Sequence, residues 1–419
     1  MKSYLSRLIE EKLQRQMKAA GCIVIEGPKW CGKSTTAKRF AKTAIELQDP
    51  LVLELYRTYA STSGKKLLEG EKPMMFDEWQ TIPKLWDFIR HDIDSQGGRG
   101  KYILTGSAKP LEDPDRHTGT GRFAKIIMRP MSLWESQEST GEISLKQLFG
   151  GSHDIGGNAK LNLDKIAFVI CRGGWPEAIC DDAETALLVA SNYFQLLIES
   201  DITNVDDIKR NPERARKILR SYARHISCAA TNKTIQDDVA SGDTIDDKTL
   251  TSYTNALRKL FVIEDVLAWS PRLRSKTAIR SSSKRQFVDP AIAVAALGAS
   301  PKDLFNDINT FGLLFESLCI RDLRIYAEAL GGTVYYFQES RGFEVDAIVH
   351  LNNGDWGAVE IKLGGNYIDD AAKNLLKFRD KIDETHMKAP KFLMVLTGRS
   401  YAYRRPDGVL VVPIGCLKD

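Results

Sequence analysis

The feature that most constrains this chain is a glycine-rich segment near its N-terminus, Gly27 to Ser34, with the sequence GPKWCGKS. The segment fits the pattern G-x-x-x-x-G-K-[ST], follows the apolar run CIVIE and precedes KSTTAKRFAKTAIEL, which has helical spacing. Glycines let the backbone N–H groups of such a loop turn inward around phosphate oxygens, and the positive end of the next helix dipole points at them. The motif therefore predicts a loop that binds nucleotide phosphates, the Walker A or P-loop motif.

The residues of this loop receive separate roles. Lys33 is expected to reach the β- and γ-phosphates of a nucleoside triphosphate, and Ser34 is expected to ligate Mg²⁺. A chance glycine-rich turn is the alternative, but it does not account for strand, loop, Lys-Ser pair and helix in this order. The remaining predicted phosphate-binding positions are Gly27, Pro28, Lys29, Trp30, Cys31, Gly32 and Thr35.

An acidic pair ends the later apolar run PMMF, namely Asp77 and Glu78. An apolar strand that ends in Asp is where a Mg²⁺-holding carboxylate belongs, so Asp77 is the predicted metal ligand. The adjacent Glu78 is the predicted catalytic residue, because its carboxylate can position and polarise the attacking water. The alternative is a surface Asp–Glu pair without a function.

Two further positions are candidates for contact with the γ-phosphate. The run KYILTGSA ends in polar residues, of which Ser107 is the favoured sensor and Thr105 the second choice; an ordinary strand-terminal turn is the alternative. Arg122 follows a glycine-rich loop and is a candidate for stabilising transition-state charge, often from a neighbouring subunit. The alternative is a surface arginine. An Arg122 that acts on a neighbouring subunit implies a homo-oligomer.

Four segments, GPKWCGKST, MMFDEWQTIP, ILTGSA and GRFAKIIMRPMSLWE, occur in an order that resembles a large prokaryotic family of AAA+ ATPases. GGWPEAI and KRQFVDPAI resemble later signatures of that family, in which a helical region and an uncharacterised, nuclease-like C-terminal domain follow the ATPase module. The resemblance implies ATP and Mg²⁺ as cofactors and strengthens the roles given to the phosphate loop and the acidic pair. Trp30 departs from the small residue usual in this loop. We expect it to alter packing near the nucleotide without abolishing binding.

The order of apolar runs predicts an α/β fold in three parts. Short strands alternate with helical segments over residues 1–155, which favours a parallel sheet with helices on its faces; the run LVLEL is one of the predicted strands. Residues 156–300 are predicted to be a mostly helical, winged-helix-like region. Residues 301–419 are predicted to be a small α/β domain, and the family resemblance implies that its fold is restriction-endonuclease-like.

Composition excludes several classes of protein. Hydrophobic residues make up 43% and charged residues 27%, which excludes a collagen-like, coiled-coil or wholly disordered chain. The seven cysteines form no C-x-x-C pair, so we expect reduced thiols in a cytoplasmic protein. The charged N-terminus lacks the apolar run of a signal peptide, and no run approaches the roughly 20 apolar residues that span a bilayer. No membrane partner is therefore predicted.

The middle region contains the basic segment KRNPERARKILRSYARH, then two helical segments and an extended stretch, which is winged-helix order. The extended stretch 271–285, the predicted wing, contains basic residues and no acidic one. We expect it to contact DNA phosphates in a salt-dependent way; a solvated face or a protein-binding surface is the alternative. Its basic residues are Arg272, Arg274, Lys276, Arg280, Lys284 and Arg285.

Charged residues at alternate positions mark two predicted strands near the C-terminus. Residues two apart in a strand share a face, so Glu344 points with Asp346, and Glu360 points with Lys362. If the two strands pair as a hairpin, Asp346, Glu360 and Lys362 converge. Asp346 and Glu360 can then hold Mg²⁺, and Lys362 can orient or deprotonate a water. Glu316, on a long predicted helix, is a further candidate ligand.

This pattern and its helix–strand–strand–strand–helix–strand order resemble the PD-(D/E)xK nuclease superfamily. An inactive nuclease-like fold that binds nucleic acid or protein is one alternative. A structural ion pair between Glu344 and Lys362 is another.

The resulting hypothesis is a Mg²⁺-dependent, ATP-hydrolysing AAA+ protein that acts on DNA, with nuclease activity left open. The first rival is an ATP-driven switch whose C-terminal domain is an inactive protein- or DNA-binding module. Metal-dependent cleavage that is lost in Asp346→Ala or Lys362→Ala separates the two. A second rival is a sequence-specific transcriptional regulator, which a footprint at defined DNA sites would support.

Overall fold

A computed structural model describes residues 4–107, 118–206, 208–240, 245–271, 282–339 and 342–419 of the chain. Among these residues, no helix combines the length and the apolar character that crossing a membrane requires.

The N-terminal part is a five-stranded parallel sheet with the strand order β2-β3-β4-β1-β5. Both faces are covered by apolar packing: Cys22 and Val24 of β1 face one core, and Ile23 and Ile25 face the other. This two-sided burial explains the continuous apolar runs and confirms the predicted parallel α/β sheet. The elements are α1 (Ile9–Met17), β1 (Cys22–Glu26), α2 (Lys33–Lys38), β2 (Thr43–Glu46), α3 (Pro50–Thr62), α4 (Gly64–Leu67), β3 (Met74–Asp77), α5 (Leu85–Gln96), β4 (Tyr102–Gly106) and β5 (Phe123–Ile127).

One predicted strand of this sheet is wrong, because LVLEL lies in α3. Asp49 caps the helix by accepting a hydrogen bond from the N–H of Leu51 at 2.9 Å, and Pro50 takes the first helical position. Both are helix-start signals, which a five-residue apolar run does not outweigh. The second strand is instead β2, in the segment expected to continue the helix that follows the phosphate loop.

The middle region is mainly helical, as predicted. Gly173 to Ile179 and Lys284 to Ile292, the later signature segments, contribute to one packed core: Trp175 and Ala291 belong to the same buried apolar cluster. The elements are β6 (Ile143–Ser144), α6 (Leu145–Phe149), β7 (Gly157–Asn158), α7 (Leu163–Arg172), α8 (Pro176–Ile179), α9 (Ala183–Leu196), a π-helical turn (Leu197–Asp201), α10 (Ile202–Asn204), α11 (Pro212–Arg224), α12 (Asn232–Val239), α13 (Asp247–Lys259) and α14 (Pro290–Leu297).

The predicted wing differs from the structure. In the described part, isolated antiparallel bridges join Ile263 to Phe287 and Val266 to Lys284. Lys284 and Arg285 are buried, so neither is placed to contact DNA phosphates. Both turn inward because oxygen acceptors lie there; Arg285, for example, donates to the carbonyl oxygen of Ala230 at 2.9 Å. The other wing residues, Arg272, Arg274, Lys276 and Arg280, lie outside the described residues.

The C-terminal part is built on a mixed seven-stranded sheet with the order β7-β12-β13-β11-β10-β9-β8. The predicted hairpin is present: β9 pairs antiparallel with β10, with Ala347 opposite Val359. The expected helix–strand–strand–strand–helix–strand order is also present. The elements are α15 (Pro301–Asn306), α16 (Ile308–Ala329), β8 (Gly332–Gln338), β9 (Glu344–Leu351), β10 (Trp356–Lys362), α17 (Ile368–Asp380), β11 (Leu393–Thr397), β12 (Tyr401–Arg404), β13 (Leu410–Pro413) and β14 (Leu417–Lys418).

The middle and C-terminal parts share one apolar core. It runs from Trp175 and Phe287 to Phe315 on α16 and Val359 on β10. Trp269 of the middle region packs on Trp356 of β10 with ring centroids 5.1 Å apart. Side chains of the middle region are therefore held in fixed places against the C-terminal sheet.

Candidate functional site

The phosphate loop lies between the end of β1 and the start of α2. Gly27 is required there by space, because a Cβ atom would come within 2.1 Å of the backbone oxygen of Met128. Cys31 is buried, and Trp30 has a left-handed backbone (φ 64°) with 55% of its surface exposed. The buried ammonium of Lys33 donates to the backbone oxygens of Gly27 and Pro28, at 3.1 and 2.7 Å. These contacts with backbone oxygens hold the ammonium of Lys33 in the loop, where its positive charge would attract incoming phosphates.

Oxygen ligands meet where β3 ends beside the loop. The hydroxyl of Ser34 donates to Asp77 Oδ1 at 2.7 Å, and Thr105 donates to the same oxygen. Gln48 Nε2 lies 3.4 Å from the other carboxylate oxygen. A hydroxyl and a carboxylate in contact are the hard oxygen donors that Mg²⁺ prefers, so Ser34 and Asp77 fit the predicted metal site.

Glu78 stands next in the chain with a left-handed backbone, φ 51° and ψ 47°, which is unusual for a glutamate. Its Oε2 accepts a hydrogen bond from Gln80 Nε2 and one from Ser107 Oγ at 3.2 Å. The structure thus brings Ser107 to Glu78, whereas Thr105 donates a hydrogen bond to Asp77. Gln80 was not predicted from the sequence, although its position two residues after Glu78 in DEWQ was a usable signal.

Arg122 lies at the opposite edge of the sheet. Its backbone oxygen accepts from the N–H of Gly21 at 3.0 Å, just before β1 begins, whereas the phosphate loop follows the end of β1. Five strand residues separate these edges by about 13 Å. Arg122 pairs with Asp94 at 2.7 Å. Within one chain Arg122 is therefore not placed to reach the phosphates, and only a role on a neighbouring subunit remains as a prediction.

A cleft of about 1230 Å³ opens over the loop. One wall is the phosphate loop and its neighbours, including Thr35; the other is the middle region, including Pro176 and Asn204. Two contacts join the walls: Lys29 pairs with Asp201 at 2.6 Å, and Trp175 Nε1 donates to the backbone oxygen of Lys29 at 3.2 Å. The volume suits a nucleotide, and the middle region faces whatever occupies it.

The C-terminal hairpin brings Asp346, Glu360 and Lys362 into contact. Lys362 Nζ lies 2.9 Å from Asp346 Oδ2 and 2.8 Å from Glu360 Oε2. Asp346 also accepts from the N–H of Ile361 at 2.8 Å, and Glu360 accepts from Asn374 at 2.7 Å. The expected convergence of these three residues is therefore present.

A second lysine enters this group from the middle region. Lys284 Nζ lies 2.8 Å from Glu316 and 2.5 Å from Glu344, and 3.7 Å from Asp346. The sequence predicted Lys284 on a DNA-binding wing, and no sequence pattern connected it with these carboxylates. Glu344, which had been considered only as an ion-pair partner of Lys362, pairs with Lys284 instead.

Burial and charge shift the acidic groups in opposite directions. Burial, with the nearby charge of Asp346, raises the pKa of Glu316 to about 7 and that of Glu360 to about 8. Burial also acts to raise the pKa of Asp346, but Lys284 and Lys362 outweigh it and lower that pKa. The ammonium groups thus keep Asp346 charged.

The same ammonium groups bear on the predicted second metal site. Lys284 lies between Glu316 and Asp346, and Lys362 lies between Asp346 and Glu360. In the described ranges, no group of three or more His, Cys, Asp or Glu side chains has the arrangement of a metal site. Glu316, Asp346 and Glu360 as placed therefore do not fit a divalent cation, because protein cations already take up their oxygens.

Three family comparisons match successive parts of the chain. Residues 20–137 match the AAA domain family. Residues 163–303 match a Domain of unknown function (DUF8612), and residues 311–417 match a Domain of unknown function (DUF4143). The N-terminal part is thus similar to AAA-type domains, and this similarity supports ATP binding and hydrolysis. The C-terminal match assigns no activity and does not show a nuclease fold.

Whole-chain relatives add no function. An uncharacterized protein of Mycobacterium bovis is 22% identical over 362 residues, which cover 84% of this chain and 72% of the relative; an uncharacterized protein of Mycobacterium tuberculosis matches with the same figures. Among solved structures, a Walker-type ATPase of Pyrococcus abyssi is similar at 16% identity and a TM-score of 0.43, covering 70% of this chain and 96% of that one.

Proposed function

We propose that this protein binds ATP with Mg²⁺ and hydrolyses it in the cleft between the AAA-type sheet and the middle region. The observation that carries the proposal is the meeting of Lys33, Ser34, Asp77 and Glu78 at one edge of the sheet, with Ser34 and Asp77 2.7 Å apart. The match of residues 20–137 to AAA domains supports it.

Each group has a task in this reaction. The loop N–H groups and Lys33, which exchanges its carbonyl contacts for phosphate oxygens, hold the β- and γ-phosphates. Ser34 and Asp77 would hold Mg²⁺, which when bound neutralises phosphate charge. Glu78 orients a water and accepts its proton as the water oxygen attacks the γ-phosphorus and the bridging β–γ oxygen leaves with ADP. Ser107, hydrogen-bonded to Glu78, senses whether the γ-phosphate is present.

Variants of the two central side chains test this function. Lys33→Ala should lose ATP binding, because the loop loses its phosphate-directed cation. Glu78→Gln should keep ATP binding and lose at least about 100-fold in turnover, because the amide cannot accept the proton. ATP binding by calorimetry and phosphate release on the same preparations separate the two effects. Turnover that survives in Glu78→Gln would overturn the role of Glu78.

A neighbouring subunit is part of this proposal. We propose that the protein forms a homo-oligomer in which Arg122 approaches the nucleotide of the next subunit. Mixing Arg122→Ala chains with Glu78→Gln chains tests it: active sites restored in mixed oligomers support action between subunits. Turnover of Arg122→Ala equal to the wild type would contradict it.

We also propose a cytoplasmic location. The seven cysteines are free thiols, which is typical of proteins in a reducing compartment.

As a second function we propose contact with DNA through the middle region. Helix α11 exposes Arg216, Lys217 and Arg220 on one face. Cations at this spacing suit the backbone phosphates of DNA, and this surface of α11 does not depend on the residues of the predicted wing. Lys217→Glu with Arg220→Glu should weaken DNA binding and flatten its salt dependence in fluorescence anisotropy, whereas Lys373→Glu, an exposed lysine on α17, should not. Equal affinity for DNA in the wild type, the double variant and Lys373→Glu would contradict DNA binding by this face of α11.

Metal-dependent cleavage of that DNA is the finer form of the second function. The nearness of Asp346, Glu360 and Lys362 supports it, whereas the ion pairs that occupy their oxygens, and the buried Lys284 beside them, favour the rival, an ATP-driven switch with a catalytically inactive C-terminal domain. Plasmid nicking with Mg²⁺ or Mn²⁺, with and without ATP, separates them. Cleavage abolished by Lys362→Ala supports a nuclease, and loss in Lys33→Ala shows coupling to ATP. No cleavage with ATP hydrolysis intact supports the switch.

A further inference from the structure

Four carboxylates of the C-terminal part, Glu316, Glu344, Asp346 and Glu360, form what we call the acidic cluster. Three of them surround the ammonium of Lys284, at 2.8, 2.5 and 3.7 Å. The side chain of Lys284 is only 2% exposed. Three carboxylates therefore compensate one buried positive charge.

Lys284 is held in this place by its backbone. Its N–H donates to the backbone oxygen of Val266 at 3.0 Å, and the N–H of Val266 donates back at 3.0 Å. The next residue, Arg285, anchors the strand by donating to Ala230 and to Asn232 Oδ1, at 2.9 and 3.0 Å. The ammonium therefore enters the acidic cluster on an anchored strand, not on a free surface side chain.

The energetics make Lys284 and the acidic cluster one unit. A buried ammonium is costly unless carboxylates compensate it, and buried carboxylates without a counter-charge are equally costly. Lys284 pairs with Glu316 on α16 and with Glu344 and Asp346 on β9. Removal of its charge alone would leave these three carboxylates facing one another without this counter-charge.

Lys362, the other lysine that contacts the acidic cluster, differs from Lys284. Lys362 lies on the same strand as Glu360 and pairs with Glu360 and Asp346 at the other side of the acidic cluster, where its side chain is 29% exposed. Lys362 is the residue expected to act on a water, whereas Lys284 lies between Asp346 and Glu316, two of the three residues expected to ligate a metal ion. The two lysines are therefore not equivalent.

We propose that Lys284 is a tethered cation, which the middle region inserts into the acidic cluster in place of a divalent metal ion, so that the C-terminal site is closed to metal in this conformation. The proposal rests on the acidic cluster being a cation site, as the proposed metal-dependent cleavage requires, and is independent of ATP hydrolysis. A divalent cation binds there only when Lys284 is withdrawn or replaced.

Manganese binding tests the proposal directly. The full chain carrying Asp77→Asn, which removes the metal ligand of the phosphate loop, is titrated with Mn²⁺ alone and followed by electron paramagnetic resonance. We expect no tight Mn²⁺ in this background. Adding Lys284→Met to this parent should create one Mn²⁺ site per chain. Its affinity for Mn²⁺ should be at least about tenfold higher than that of the Asp77→Asn parent, because three carboxylates lose their counter-charge. The control, Lys373→Met, replaces an exposed lysine on α17 and should gain no such site.

Thermal unfolding supplies a second readout that needs no activity. Lys284→Met should melt at a lower temperature than the parent, and Mn²⁺ should restore the lost degrees in this variant while leaving the parent unchanged. If the variant folds only with Mn²⁺ present, the proposal is supported. Lys284→Arg, which keeps the positive charge, should exclude Mn²⁺ as the parent does.

Two results would overturn the inference. One is equal Mn²⁺ affinity in the parent and in Lys284→Met, which would show that Lys284 excludes nothing. The other is a Lys284→Met chain that is destabilised, or unfolded, with Mn²⁺ and without it, which would make Lys284 a structural ion-pair partner only. DNA cleavage is measured separately, so Mn²⁺ gained without cleavage would refute the nuclease and leave the tethered cation standing.

Discussion

At the scale of single residues, the γ-phosphate end of the cleft depends on how Glu78 is held. Its backbone lies in the left-handed region, where a non-glycine residue is strained, and strain of this kind is common at functional sites. Gln80 and Ser107 bind one carboxylate oxygen from two sides. Gly106 leaves the space that Gln80 occupies, since a Cβ atom there would come within 2.8 Å of Gln80 Oε1. Glu78 is therefore oriented by side chains and backbone together.

This arrangement makes Gln80 a positioning residue. Gln80→Ala removes a hydrogen bond that orients the carboxylate of Glu78 but touches no predicted phosphate ligand. We expect kcat for ATP to fall about tenfold, which corresponds to about 1.4 kcal/mol, with the Kd for ATP unchanged. Steady-state phosphate release and nucleotide titration measure the two quantities. A rise in Kd of the same size would show a structural effect on the whole cleft instead.

At the scale of elements, local signals decided most boundaries, and α3 shows which signal prevails. Its apolar start is compatible with a strand or a helix, but an Asp cap with a following proline settles the matter. Helix α2 shows the converse, because it ends at Lys38 although helical spacing continues in the sequence. There the parallel pairing of β2 with β3 competes with helix formation and prevails.

The cap of α3 carries a prediction. Asp49→Ala removes the acceptor for the N–H of Leu51 and should destabilise the helix start by about 1 kcal/mol. Amide hydrogen exchange over residues 50–62 of the full chain should then be about fivefold faster, because local opening scales with that free energy. Asp49→Asn, which keeps an oxygen acceptor, should exchange nearly as the wild type does. Unchanged exchange in Asp49→Ala would show that packing alone holds α3.

At the scale of the whole molecule, charged side chains connect the three parts of the chain. Arg129, after the last strand of the AAA-type sheet, pairs with Glu264 of the middle region at 2.6 Å and with Glu328 of α16. Lys12 on α1 also pairs with Glu328, and Lys29 in the phosphate loop pairs with Asp201. A change at the nucleotide thus has direct contacts through which the middle region can respond.

The pH dependence of stability tests the junction at Arg129. Burial acts to raise the pKa of Glu264, but the charge of Arg129 outweighs burial and lowers that pKa from its ordinary value of 4.5 to about 2. A carboxyl with a lowered pKa stabilises the fold above its unfolded-state pKa, and this contribution is lost as pH falls toward 2. Glu264→Gln should therefore melt about 2 °C below the wild type at pH 7, and the gap should shrink between pH 5 and pH 3. A gap that does not change with pH would exclude the ionised pair as its cause.

The sequence by itself determined the parts of this protein whose information is local. The phosphate loop, the acidic end of β3 and the alternation along β9 and β10 each lie within a few residues, so spacing and periodicity predict them. The fold class and the convergence of Asp346, Glu360 and Lys362 follow from these patterns once neighbouring strands pair.

Only the tertiary structure decided which distant residues meet. Lys284 contacts Glu316 across 32 positions and Glu344 across 60, and no periodicity records such a pair. A run of basic residues looks the same in a sequence whether its members face solvent or, like Lys284 and Arg285, turn inward to buried acceptors. Arg122 likewise follows a glycine loop that suggested a phosphate contact, but strand direction places it at the far edge of the sheet. The physical reason is common to these cases: burial and pairing of charge depend on which elements pack together, and packing joins residues without regard to their order in the chain.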